Sequence, residues 1–135
     1  MDLLGRLLER IEHYARTVDR QRLEHDLDTW LMVGRALELA ARCCIDLATA
    51  VIAQRSLGLP DTYRETFARL AQAGLISSET AAALEGWAGL RNVLAHVYAE
   101  LDLDRIHGAF HADLTPLREL GRIAAEELGS HHTPE

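Results

Sequence analysis

The amino-acid sequence predicts an all-α protein, an up-and-down bundle of four or five helices. Apolar residues make up 48% of the 135 residues but aromatic residues only 5%, and Ala and Leu, which favour helices, are far commoner than β-branched residues. Apolar residues also recur at helical spacing, and residues that begin or end helices separate these segments. The length corresponds to one domain. We assign it to residues 1–128 and expect a flexible polar tail at 129–135.

Two long amphipathic segments come first. The first has its apolar residues on a single face as far as Val18, which is typical of a helix packed on a core. The polar stretch 19–24 is expected to break or bend the chain. The next helix is predicted over about 26–56, with Leu31 in its apolar stripe, and Gly58 follows it, as glycine often follows a helix.

Helix-start signals predict the next two helices. Thr62 and Glu65 have the spacing of a capping box, in which the two side chains satisfy free N–H groups of the first turn. This helix is expected to end at Gly74. Ser77 and Ser78 then begin a fourth helix, because a serine side chain accepts a hydrogen bond from the first turn.

The fourth helix is predicted to run to about Tyr98, and a last one to begin near Asp102 and continue past Ile123. Pro116 lies inside this last stretch. Because proline removes a backbone donor and its ring clashes with the preceding turn, we expect a kink or two shorter helices there.

Charge and cysteine content narrow the class of protein. The net charge is −7, which argues against a protein that coats nucleic acid with a broad basic surface, although it allows a small basic site. Cys43 and Cys44 are neighbours whose side chains point about 100° apart on a helix, so they are expected to be buried, reduced thiols. With no signal peptide and no run long enough to span a membrane, a cytoplasmic location is expected.

The residues best suited to catalysis lie in the segment 91–98. Asn92 and His96 are four residues apart and share a helix face, and Arg91 and Tyr98 lie two turns apart on nearly one line. Arg91 and His96 differ by about 140° around an ideal helix. Three arrangements would bring them to one site: the arginine side chain sweeps round, the helix unwinds near its end, or a second subunit supplies the missing partner.

Phosphodiester cleavage is a reaction that such a set can perform. His96 can exchange a proton near neutral pH, and Arg91 can stabilise charge on phosphate oxygens. Asn92 can orient the histidine or bind an oxygen. RNA supplies its own nucleophile, the 2′-hydroxyl, so neither a metal nor a cofactor is required. From spacing alone, an Arg–His pair on a helix is more often part of a surface ion pair or a helix cap.

At these residues the chain resembles the HepT family of the HEPN superfamily. Arg91, His96 and Tyr98 match the R-x4-H-x-Y motif, and the similarity extends over residues 30–110. The resemblance implies a helical homodimer in which two motifs face one cleft. It also implies a metal-independent endoribonuclease toxin acting on tRNA or mRNA, with Arg91 and His96 as catalytic residues and Asn92 as the polar residue that follows the arginine. One departure is that Glu38 and Arg42 stand where the family often has Gln and Glu.

The same resemblance implies a partner and a modification. In the family, a minimal nucleotidyltransferase antitoxin, MntA-like, transfers AMP from ATP to the motif tyrosine, here Tyr98, and so inhibits the toxin. An adenylate beside Arg91 would add bulk and negative charge and compete with RNA phosphate.

Other hypotheses compete with this one. The chain could be a catalytically silent HEPN dimer that binds a nucleotidyltransferase, or a helical adaptor unconnected with nucleotides. His107 and His111, with Asp102 upstream, have the spacing of a metal face, but helix-surface histidines are expected instead. Trp30 and Trp87 could stack on a base, although packing in the core or at a dimer interface is favoured.

Overall fold

The computed structural model describes residues 3–95, 107–109 and 112–129, with the backbone alone at 92–95. Within these ranges there are helices and no strands, which confirms the all-α prediction. No helix in them is long and apolar enough to cross a membrane. Residues 107–109 are helical, and the longer helices are α1 Leu3–Thr17, α2 Arg20–His25, α3 Leu27–Arg55, α4 Tyr63–Gln72, α5 Ser78–Ala95 and α6 Thr115–Gly129.

α3 is the centre of the bundle, because each of the other five helices packs against it. Its buried face is rich in alanine, with Ala36, Ala40, Ala41 and Ala48. Side chains from every layer meet in one apolar cluster whose fully buried members include Ile11, Leu37, Phe67, Leu84 and Leu120. One contiguous core is what a single domain requires.

The expectation for the polar stretch 19–24 was wrong in part, because most of it forms the short helix α2. Asp19 caps this helix by accepting a hydrogen bond from the Arg22 N–H at 2.7 Å. Leu23 is fully buried and anchors the helix to the core. The chain does bend, but at the caps on either side of α2, Asp19 and Asp26.

The predicted helix starts are confirmed. Thr62 accepts a hydrogen bond from the Glu65 N–H at 3.1 Å, while the Glu65 carboxylate accepts from the N–H of Asp61, one residue before the expected partner. The Ser77 hydroxyl accepts from the Thr80 N–H at 3.0 Å and begins α5.

Pro116 divides the last stretch into two shorter helical segments, one of the two predicted outcomes. Residues 112–114 are not helical, and α6 begins at Thr115. Pro116 therefore lies in the first turn, where its missing N–H has no partner to lose. Asp113 accepts hydrogen bonds from both the N–H and the hydroxyl of Thr115. α6 ends at Gly129, one residue beyond the predicted domain boundary, and the start expected near Asp102 and the tail at 130–135 lie outside the described residues.

The first two turns of α3, residues 27–32, which we call the open end, contain three exposed apolar side chains. Leu27 is 71% exposed, Leu31 49% and Met32 47%. Leu31 was therefore placed wrongly in the buried stripe. Helix periodicity does not distinguish a face that packs on this chain's core from one that no element of the chain covers.

The two cysteines are free thiols, as predicted. Cys44 is buried, and burial raises its pKa to about 12. Cys43 is only half-buried, and both burial and the nearby Asp46 carboxylate raise its pKa. Cys44 is therefore unreactive at neutral pH, and Cys43 is the more accessible thiol.

Candidate functional site

Arg91 lies in α5, four residues before Ala95, and is exposed directly after the buried Leu90. Among the described residues, no carboxylate forms an ion pair with it. A guanidinium offers up to five N–H donors in a fork that suits phosphate. As far as the described chain extends, the donors of Arg91 remain available to a ligand.

The rest of the bundle holds α5 firmly and so fixes where Arg91 emerges. Thr80 donates a hydrogen bond from its hydroxyl to the Glu119 carboxylate of α6 at 3.1 Å. Arg64 of α4 pairs with Glu85 at 2.8 Å. Buried apolar side chains along α5 complete the attachment, among them Ala81, Leu84, Trp87, Ala88 and Leu90.

The helical backbone continues through Ala95, and this limits how the predicted site residues can meet. The helix does not unwind between Arg91 and Ala95. The arrangement in which an unwound helix brings Arg91 and His96 together therefore has no support in these residues. Asn92 has its backbone in α5. Its side chain, together with His96 and Tyr98, lies outside the described residues, so the catalytic assignments and the modified tyrosine remain predictions.

The two tryptophans lie in the core, as the favoured interpretation expected. Trp30 is 8% exposed and Trp87 is 7% exposed. The indole N–H of Trp30 is buried and has no hydrogen-bond partner among the described residues. Unlike most buried tryptophans it leaves a donor unsatisfied, and it lies within the open end of α3.

The two departures from the family pattern both belong to α3. Glu38 accepts a hydrogen bond from Arg35 at 3.2 Å in an exposed i,i+3 ion pair. Arg42 is exposed one turn further along. Asp46 lies another turn on and is also exposed, so two arginines and two carboxylates alternate along this side of α3 without an excess of either charge.

The possible metal face cannot be assembled from the described residues. His107 is described, whereas Asp102 and His111 lie outside the described ranges. Within those ranges, no group of three or more His, Cys, Asp or Glu side chains is placed to hold a metal ion.

Comparison with known proteins shows which family the chain belongs to. The sequence model of the HepT-like family, whose description is "Ribonuclease HepT-like", matches residues 4–122. The chain belongs to the HepT-like ribonuclease family. The match includes the first helix and most of α6, so it extends beyond the residues on which the sequence resemblance rested.

Two curated relatives share this sequence pattern. The chain is 40% identical over 68 residues to the mRNA nuclease HepT of Shewanella oneidensis, a match that spans 50% of this chain and 51% of that protein. It is 24% identical over 106 residues to the tRNA nuclease HepT of Aphanizomenon flos-aquae, spanning 78% of this chain and 71% of that protein.

A solved structure agrees with the HepT-like fold. It contains a tri-AMPylated HEPN toxin of Shewanella oneidensis in complex with an MNT antitoxin. The matched chain has a TM-score of 0.79 and 28% identity, and the alignment covers 92% of both chains. The predicted HEPN-like fold is thereby confirmed.

Proposed function

We propose that this HepT-like chain is the toxin of a toxin–antitoxin pair and cleaves RNA, either mRNA or tRNA, without a metal or a cofactor. The observation that supports this best is Arg91, an exposed arginine without a described carboxylate partner, held at the end of α5 inside the R-x4-H-x-Y motif. The names of the two curated relatives support ribonuclease activity. An RNA target implies action in the cytoplasm.

The chemistry follows from the residue types. His96 accepts the proton of an RNA 2′-hydroxyl, whose oxygen attacks the adjacent phosphorus. The new bond joins the 2′-oxygen to phosphorus, and the bond from phosphorus to the 5′-oxygen breaks. The leaving 5′-oxygen takes a proton from water and becomes a 5′-hydroxyl, and the other product ends in a 2′,3′-cyclic phosphate. Arg91 stabilises the additional charge on the phosphate oxygens, and Asn92 orients His96 or binds one of those oxygens.

We propose a homodimer as the active form. The exposed apolar side chains at the open end of α3 are suited to burial against a second copy, and the Arg35–Glu38 pair beside them offers both signs of charge to a two-fold-related partner. A dimer would also allow Arg91 of one protomer to act with His96 of the other. The two side chains would then not need to reach one atom from directions about 140° apart on a single helix.

The proposed regulation is AMP transfer to Tyr98 by a nucleotidyltransferase antitoxin. Support comes from the matched Shewanella oneidensis toxin, which is tri-AMPylated and bound to an MNT antitoxin. Incubating the chain with such an antitoxin and ATP should raise its intact mass by one or more adenylates. Tyr98→Phe should prevent the increase. If Tyr98→Phe gains the same mass as the parent, Tyr98 is not the acceptor.

The deciding experiment is a cleavage assay in EDTA. The chain, confirmed as unmodified by intact mass, is incubated with total RNA and with tRNA. We expect cleavage products that end in a 2′,3′-cyclic phosphate. Arg91→Ala and His96→Ala should each lower the rate by at least about a hundredfold, the scale of a lost proton-transfer or charge-stabilising group.

The matched control is Arg16→Ala, which removes an exposed arginine of α1 instead. It should retain the parent's rate. Cleavage that needs a divalent cation, or that is equal in all four proteins, would disprove the mechanism. A stable antitoxin complex with no cleavage by unmodified protein would favour the silent interaction module.

A further inference from the structure

A groove separates α1 from α6 on the surface of α3. Both helices pack extensively against α3 but have few contacts with each other. The space between them is a cavity of about 700 Å³. Cavities of roughly 300–1,000 Å³ are the usual size of small-molecule sites, so the groove is large enough for a ligand.

The floor and walls of the groove are apolar. Leucine side chains from all three helices surround it: Leu3, Leu4, Leu8, Leu47, Leu117 and Leu128. On the α6 side, Gly121, Ala124 and Ala125 leave the space unfilled because their side chains are small or absent. A Cβ added at Gly121 would touch the Leu4 side chain at 3.4 Å, so the wall there is already close to contact.

The charged side chains of the groove lie along the first half of its α6 wall. Arg118 and Arg122, one turn apart on α6, line it together with Asp46 of α3. Leu128 lies six residues beyond Arg122, or about 9 Å along a helix. The groove therefore has a charged part with two guanidinium groups and one carboxylate, and an apolar arm beyond Arg122.

The two arginines are not committed to strong partners. Arg118 pairs with Glu12 at 2.8 Å and Arg122 with Glu126 at 3.2 Å, and all four side chains are substantially exposed. Exposed ion pairs contribute little to stability, because water and salt screen them. Either guanidinium can exchange its glutamate for another anion at small cost.

We infer that this groove binds one amphipathic anion, with an unbranched apolar tail along α6 and an acidic head at Arg118 and Arg122. The tail would cover the exposed edge of the leucine-lined walls, and the head would replace solvent and the paired glutamates around the guanidinium groups. The site shares no residue with the Arg91 motif, so the inference does not depend on the proposed ribonuclease activity.

Cys43 provides a direct reporter, because its half-buried thiol lines the groove. The neighbouring Cys44 is buried elsewhere in the core and does not line it. A thiol reagent in mildly alkaline buffer should therefore modify Cys43 first, and a bound ligand should slow that reaction.

The test titrates the full chain with dodecanoate below its micelle concentration, using calorimetry and the rate of Cys43 modification. We expect saturable binding of one dodecanoate per chain, with Cys43 protected in parallel. Dodecyltrimethylammonium, which has the same tail and the opposite charge, should bind at least about tenfold more weakly. Equal or tighter binding of the cation, or no saturable binding of dodecanoate, would overturn the inference.

Two variants locate the ligand. Ala125→Leu fills the groove from an exposed position and should abolish binding, whereas Ala82→Leu, an exposed position on α5 outside the lining, should leave it unchanged. Arg122→Gln should weaken dodecanoate binding about tenfold and leave binding of the cation unaffected. Both leucine variants should melt like the parent. Dodecanoate binding that survives Ala125→Leu would place the ligand elsewhere and refute the proposed site.

Discussion

The two ends of α3 differ in how their apolar residues are covered. From Cys44 to Arg55, which we call the closed end, no large apolar side chain is exposed, and Arg55 ties the helix to α6 through a bidentate pair with Glu127 at 2.6 and 3.1 Å. At the open end, Leu27, Leu31 and Met32 are exposed although the helix is equally apolar there. The same helix thus has its last turns covered by its own chain and three apolar side chains exposed in its first two turns.

The difference shows what an apolar stripe can and cannot specify. A stripe specifies a face that avoids water, but the element that covers it can belong to the same chain or to another molecule. At the closed end α6 lies against α3, as the Arg55–Glu127 pair shows. At the open end three apolar side chains stay exposed, and the indole N–H of Trp30 lies there too.

The largest expected effect contrasts alanine substitutions at the two ends. Ile52→Ala should lower the free energy of unfolding by about 2–5 kcal/mol, because Ile52 is fully buried and the cavity would only partly collapse. Leu31→Ala should change it by less than about 0.5 kcal/mol at concentrations low enough to keep the protein monomeric. Urea denaturation measures both. Equal losses for the two variants would contradict the distinction between the ends.

The next effect concerns association at the open end. Leu31→Glu should raise the dissociation constant of the proposed homodimer about 10- to 100-fold, since burial of one leucine contributes roughly 1.5–3 kcal/mol. Sedimentation equilibrium measures the change. The control is Leu59→Glu in the loop after α3, where Leu59 is 87% exposed. If only Leu59→Glu weakens the dimer, the interface does not lie on the open end of α3.

A smaller effect concerns the helices that cover the closed end. Ser77→Ala should destabilise the protein by about 1 kcal/mol, because the Ser77 hydroxyl caps α5 and also donates to Thr80, which holds Glu119 of α6. Thermal unfolding with Ser78→Ala as the neighbouring control would measure this. Ser78 is exposed, and its replacement should change stability by less than about 0.5 kcal/mol. Indistinguishable melting of the two variants would mean that the cap contributes nothing.

The smallest expected effect is on how the stability of the protein depends on pH. It comes from Asp26, the residue just before the open end. Hydrogen bonds from the Thr29 hydroxyl and N–H, together with the Asp28 N–H, hold the pKa of Asp26 below its ordinary value of 3.8. A carboxylate with a lowered folded pKa contributes stability above its unfolded pKa, and this is lost as the pH falls through the folded pKa.

Asp26→Asn keeps a capping side chain but removes this titration. Acid titration of folding should therefore be slightly less steep in Asp26→Asn than in the parent below about pH 4. Asp28→Asn, which removes an exposed carboxylate that accepts none of these bonds, is the control and should keep the parent's slope. An unchanged slope in Asp26→Asn would show that the carboxylate does not contribute.

Most of the fold follows from local signals in the sequence. Thr62, Ser77 and Pro116 each act within a turn of their own position, so their effects are independent of the rest of the chain. α2 was missed because one apolar residue, Leu23, gives no periodic signal in six residues. Its burial depends on packing with α3, which local propensity does not contain.

The candidate site divides in the same way. The exposure of Arg91 and its position at the end of α5 could be expected from the motif and the helix pattern. That Arg91 has no carboxylate partner among the described residues could not be expected from the sequence. Ion pairs such as Arg55–Glu127 join residues far apart in the sequence, and no local pattern predicts them. Leu31 shows the corresponding limit for apolar residues, since helical spacing placed it in the apolar stripe and its side chain is exposed.

Asp26 has a further consequence for how the molecule moves. Its N–H donates to the Arg22 carbonyl at the end of α2, while its carboxylate accepts from the first turn of α3. A single residue thus closes one helix and opens the next, and no flexible linker lies between them. α2 cannot swing outward without breaking the first hydrogen bonds of α3, so the amides of Asp28 and Thr29 should exchange with deuterium together with those of α2, as one opening unit.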